Sequence, residues 1–150
     1  VSAVAAGDPI NASDINTRLG TTTRTSDTST VTTTETVADS VTVTLVSGKK
    51  YRIRWVVGYT SDVAADTVFM RLREDSVSGT VICLVRGDVR VTNGAGSRWV
   101  EYPEAEYTAT ASGSKTFVGT YVRASGTGNV KVTATTALPT YLYVELINGS

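Results

Sequence analysis

The stretch YRIRWVVGY, residues 51–59, decides the reading of this chain. Tyr51, Ile53, Trp55, Val57 and Tyr59 fall on one face of an extended backbone and Arg52 and Arg54 on the other, the period-two alternation of a half-buried strand. The flanks repeat it. Upstream, Val41, Val43 and Leu45 alternate with Thr42 and Thr44 before a turn at Ser47-Gly48-Lys49. Downstream, Val68, Met70 and Leu72 oppose Phe69, Arg71 and Arg73, and Glu74-Asp75 leads into a loop containing Ser78-Gly79. Thr80 to Val91 reads as one long strand or two short ones broken near Gly87-Asp88. After the Asn93-Gly94-Ala95-Gly96 turn, Arg98 to Thr110 is extended again, with Pro103 demanding a bulge or an edge because it cannot donate to a ladder. Lys115 to Arg123 follows, then Val130, Val132 and Ala134, and a last strand from Tyr141 in which Leu142, Val144 and Leu146 oppose Tyr141, Tyr143 and Glu145. About eight strands at this spacing predict an all-β, two-sheet β-sandwich. The long strands and the lack of a Cys…Trp…Cys pattern favour a jelly-roll-like form over an immunoglobulin-like one.

Composition agrees and narrows the chemistry. Thr and Val, both β-branched, make up roughly a third of the chain. At 150 residues it has the size of one domain. Fourteen Lys+Arg balance fourteen Asp+Glu, so no net field draws the protein to nucleic acid or an anionic membrane. There is no histidine, which removes the usual general base near neutral pH and the commonest ligand for zinc and copper. No apolar run approaches the roughly 20 residues of a membrane-spanning helix, so no membrane insertion is expected. The expected cofactor and metal complement is none.

Residues 1–36 differ from the rest. Asn11 suits an N-cap, Asp14 lies at N3, and Ile10 can staple against Ile15. This predicts a short helix over 12–19, with Leu19 on the Ile15 stripe and Gly20 as its stop. Two turns are too few to be stable alone, so the helix must dock, either on its own sandwich or on another subunit. The Thr-rich linker 21–36 carries one aliphatic, Val31. It suits an extended arm, or equally a first edge strand of the same domain from about Thr30. The expected division is an anchoring arm, 1–36, and a sandwich, 37–150, with Ile10, Asn11, Asp14, Ile15 and Leu19 as the anchoring side chains.

The search for catalytic groups returns little. Asp62, Asp66, Glu74, Asp75, Asp88, Glu101, Glu104 and Glu106 would have to converge in pairs to do acid–base work, and their places beside turns or alternating with apolar residues read as solvated surface. Asp62 and Asp66 lack the ligand spacing of a calcium loop. Cys83, inside the apolar run VICLV, has no cationic neighbour to stabilise a thiolate and reads as a small buried hydrophobe. The chain is therefore expected not to be an enzyme. Trp99, Tyr102 and Tyr107 lie in a polar stretch and could stack on sugar rings through their aromatic faces; the alternative for Trp99 is core or a subunit interface.

A resemblance adds to this. AGDPINASDINTRLG, residues 6–20, resembles a short N-terminal element of structural proteins from tailed bacteriophages, notably those infecting actinobacteria. RLREDSVSGT (71–80), TASGSKTFVGTYVRASGTGNVKV (110–132) and the ending PTYLYVELI (139–147) are similar to phrases in the same kind of protein. Leu146 departs from the usual acidic residue of that ending. The resemblance implies an accessory virion protein on the particle surface, made in the bacterial cytoplasm. It would be a capsid decoration or head fibre protein or a minor tail protein, with capsid or tail proteins as partners and self-association as a homotrimer. The rival reading is a receptor-binding module that contacts host cell-wall glycans.

Overall fold

The computed structural model describes residues 17–90 and 98–147. Ten strands form two antiparallel sheets packed as a sandwich. They are β1 (Thr17–Arg24), β2 (Thr36–Leu45), β3 (Lys50–Ser61), β4 (Thr67–Glu74), β5 (Val81–Asp88), β6 (Trp99–Glu101), β7 (Glu104–Thr108), β8 (Gly113–Ser125), β9 (Val130–Val132) and β10 (Thr140–Leu146). The four-stranded sheet runs β2-β8-β4-β5. The other is built around β3, which pairs β10 and β9 on one side and β7 and β6 on the other; β1 adds to the outside of β10.

The two strands beyond the expected eight have separate causes. Pro103 splits Arg98 to Thr110 into β6 and β7, and its carbonyl accepts the Trp55 amide (2.8 Å) in the gap it makes. The other addition is β1. Thr17 to Leu19, expected at the end of a helix, are strand, paired with Leu146 and Glu145 of β10. Tertiary pairing overrides a weak cap signal here, because β10 offers an unpaired edge and a two-turn helix has little stability of its own. The rest of the predicted helix, with Ile10, Asn11, Asp14 and Ile15, lies outside the described residues. The linker 21–36 is extended through Arg24, and its partner there is the chain's own β10. Val31 then bridges to Val130. Thr17–Arg24, assigned to the arm, thus pair within the sandwich.

The inward faces are those the alternation predicts. Tyr51, Ile53, Trp55, Val57 and Tyr59 of β3 meet Val68, Met70 and Leu72 of β4 and Phe117 and Tyr121 of β8, all buried. Trp55 reaches across to the facing sheet, where Gly119 makes room: a Cβ there would lie 2.7 Å from the indole. Cys83 is only half-buried and packs at the margin of this core.

Candidate functional site

Three groupings of polar or aromatic side chains stand out, and two are buried. The first centres on Asp39, at a bulge of β2. Its carboxylate accepts Trp55 Nε1 (2.8 Å), Thr140 Oγ1 (3.1 Å) and Arg24 Nε (2.9 Å). Arg24 also donates to the Ala38 carbonyl. Arg24 is the last residue of β1, so the pair ties that edge strand across the sandwich to β2. A buried carboxylate that receives three donors is satisfied and has no lone pair directed at a substrate.

The second surrounds Asp66, which is fully buried. It accepts the backbone amides of Thr127 (2.9 Å) and Gly128 (3.0 Å) and the hydroxyl of Ser61 (2.5 Å). Asp62 takes the amide and side chain of Asn129 at 2.6 and 2.7 Å, and these bonds hold its carboxyl below the usual aspartate range. A cation would need those same oxygens free. Here they bind N–H and O–H donors, so the pair locks the 126–129 turn against the end of β3. Gly126, with a φ of 100°, is required there by its conformation as well as by contact with Asp66.

The remaining carboxylates engage cations along the strands. Glu104 bridges Arg52 and Arg54 (3.6 and 3.5 Å). Glu74 and Asp75 both hold Lys115 (2.6 and 2.8 Å). Glu35 receives Arg71 (2.8 Å), Arg73 (2.8 Å) and Thr120. Burial pushes the Glu35 carboxyl up, but the Arg73 and Thr120 hydrogen bonds and the two guanidinium charges hold it below its ordinary value. Glu101 moves the other way, raised by burial and then by the charge of Asp88. The same two acids, after burial itself, push the Tyr59 phenol up to about 12. Among the described residues no group of three or more acids and cysteines is placed to hold a metal ion, and no helix is long and apolar enough to cross a membrane.

The third grouping is on the surface. Trp99, Tyr102 and Tyr107 do not form one platform. Trp99 sits opposite Tyr59 and packs against the core; Tyr107 sits opposite Tyr51, edge-on to Phe117 with ring centroids 5.1 Å apart. Tyr102, beside Pro103, faces out and is 54% exposed. It belongs with residues from other strands. Arg54 lies over its ring (5.6 Å), Tyr143 stands opposite Arg54, and Arg18 covers Tyr143 (4.0 Å). Tyr141, on the same strand face as Tyr143, is also exposed. The result is a row of alternating guanidinium and phenol groups across the outside of the six-stranded sheet. The alternation of the last strand puts Tyr141 and Tyr143 on one face, but nothing in one chain's order shows that Arg18 and Tyr102 join them. Of the expected anchor side chains, only Leu19 is described, exposed on β1.

Fold and surface thus define the class: an antiparallel two-sheet β-sandwich whose two buried polar groupings are paired internally. No family model matches the chain and no curated protein is similar to it in sequence. Solved structures are similar to it. The structure of infectious bursal virus derived T=1 particles aligns over 100% of this chain and 41% of its own, with a TM-score of 0.50 at 12% identity. The VP2 subviral particle of infectious bursal disease virus aligns over 97% and 42%, with a TM-score of 0.46 at 14% identity. A Clostridium thermocellum xylanase, in its CBM22-1–GH10 modules complexed with xylohexaose, aligns over 83% and 26%, with a TM-score of 0.40 at 13% identity. This chain spans about two fifths of the length of the two virus-particle proteins. The first of these, at a TM-score of 0.50, shows a shared fold.

Proposed function

We propose that this chain is a non-enzymatic structural protein of a bacteriophage particle, displayed on the particle surface as a capsid decoration or head fibre protein. The observation that carries the reading is the alignment of the whole chain with part of a protein that forms virus particles. The phage-like phrases at 6–20, 71–80, 110–132 and 139–147 support it. So does the state of the acids, because Asp39, Asp66, Glu35 and Glu74 are all engaged by internal donors. In this reading the chain is made in the bacterial cytoplasm. The residues before Thr17 grip a capsid or tail protein, and the sandwich associates with copies of itself, around a three-fold axis as the resemblance implies. Binding only the assembled shell shifts the assembly equilibrium toward it. Sedimentation of an infected culture tests this: the chain is expected in the particle band, and recovery only in the soluble fraction contradicts it.

A second reading has one observation in its favour. Tyr102 and Tyr141 present exposed rings beside Arg54 on a broad sheet face, a surface on which a cell-wall glycan could stack during host recognition by a minor tail protein. Tyr102→Ala separates the two readings better than Trp99→Ala, which also strips a side chain from the core margin. Cell-wall binding that Tyr102→Ala abolishes favours the receptor-binding reading.

A further inference from the structure

β5 is the outermost strand of the four-stranded sheet; among the described residues its hydrogen-bonded neighbour is β4 alone. The orientation of its free side follows from where it ends. The Val89 amide donates to Asp66 (2.9 Å) and the Val89 carbonyl accepts from Ala65 (2.8 Å), so the backbone of Val89 points toward β4. Alternation then turns the backbone groups of Leu84, Arg86 and Asp88 to the open edge. Their side chains stand on the outer face, with Leu84 50% exposed and the Arg86 and Asp88 side chains 61% and 57% exposed.

Natural sheets guard such edges with charged side chains, Pro or bulges. Toward Val81 a register slip beside Leu72 and Arg73 does this. The Cys83–Asp88 half is regular, with neither Pro nor bulge. Its two charges are opposite in sign and two residues apart, with Gly87 between them. That arrangement is self-complementary. In an antiparallel pair whose two-fold axis passes through Gly87, Arg86 faces the partner's Asp88 and Asp88 faces the partner's Arg86. These are also the positions whose backbone groups, among the described residues, face the side of β5 away from β4. A two-fold axis through Arg86 or Asp88 would set like charges against each other.

We infer that the β5 edge joins two copies of this chain by antiparallel strand pairing about Gly87, held in register by reciprocal Arg86–Asp88 ion pairs. The ion pair within each strand, 3.3 Å between Arg86 Nε and Asp88 Oδ1, is given up, and the two lost are replaced by two between copies. The contact is isologous and closes on itself. It links copies in twos whatever contact forms elsewhere, and it does not depend on the chain's being part of a particle.

Charge reversal tests it. Sedimentation equilibrium of the full chain is expected to give a concentration-dependent mass of two copies, or of six if a three-fold contact also forms. Arg86→Asp and Asp88→Arg each place like charges opposite one another and should each raise the dimer dissociation constant about tenfold or more. Circular dichroism should be unchanged in both, since both side chains are exposed. An equimolar mixture of the two variants should recover pairing as a heterodimer, and the double variant R86D/D88R should recover it alone. A monomer or trimer at every concentration overturns the inference. So does a dimer that neither reversal weakens, or a mixture that fails to recover. A dimer lost on removing residues 1–16 but indifferent to both reversals assigns the contact to the N-terminal segment instead, which also overturns it.

Discussion

At the scale of single residues, the account rests on a few positions where one atom decides the packing. Gly119 is one, because the Trp55 indole occupies the space a side chain would need. Gly119→Ala is expected to cost about 1–3 kcal/mol by overpacking, read as a lowered denaturant midpoint with an unchanged slope. Arg24 is another. Removing it leaves the Asp39 carboxylate buried with only Trp55 and Thr140 as donors. Arg24→Ala should therefore destabilise by about 2–3 kcal/mol, somewhat less than the loss of a fully buried partner. If the Arg24→Ala protein melted like wild type, the tie between β1 and β2 would be an incidental surface contact. Nothing in the order of residues singles out Gly119, Arg24 or Asp39; only the facing sheet explains them.

At the scale of elements, β1 is the strand whose removal is most informative. It contributes no buried apolar side chain, yet it covers the β10 edge and delivers Arg24. Deleting residues 1–16 should leave the thermal midpoint where it is. Deleting residues 1–24 should lower it markedly and raise aggregation, since β10 then presents an open edge. Equal midpoints for the two truncations would show that β1 does not belong to the cooperative unit. The inner strands were legible in sequence because burial on one face writes a period of two, as Tyr51 to Tyr59 and Leu142 to Leu146 show. β1 was not, because TRLGTTTR carries no such period; its place depends on backbone pairing with β10, and backbone groups leave no mark in side-chain order. The same limit hid the Arg18–Tyr143–Arg54–Tyr102 row, which assembles from four separate segments.

At the scale of the whole molecule, the internal pairing of the acids predicts how stability depends on pH. Glu35, Asp27, Asp62 and Asp75 are all held below their ordinary values of 4.5 and 3.8, Glu35 against burial and the others chiefly by hydrogen bonds from Lys131, Asn129 and Lys115. The unfolded chain therefore binds more protons than the folded one as pH falls through those values, and stability must fall with it. Glu101, raised by burial and Asp88, opposes the trend with one group against four. The thermal midpoint should be level from about pH 7 to 5 and drop below about pH 4.5, and Glu35→Gln should flatten part of that drop. A midpoint that rose on acidification would contradict these ion-pair assignments.

On the proposed function, residues 1–16 attach to a particle a sandwich that already includes Thr17–Arg24. The amount of chain per purified particle, measured by quantitative mass spectrometry for the full chain and for the chain lacking residues 1–16, tests that attachment directly. The account predicts a fixed stoichiometry for the full chain and near-complete loss for the truncated one, with equal melting of the two free proteins. Particles that lack the full chain, or that carry the truncated chain at full occupancy, would contradict it.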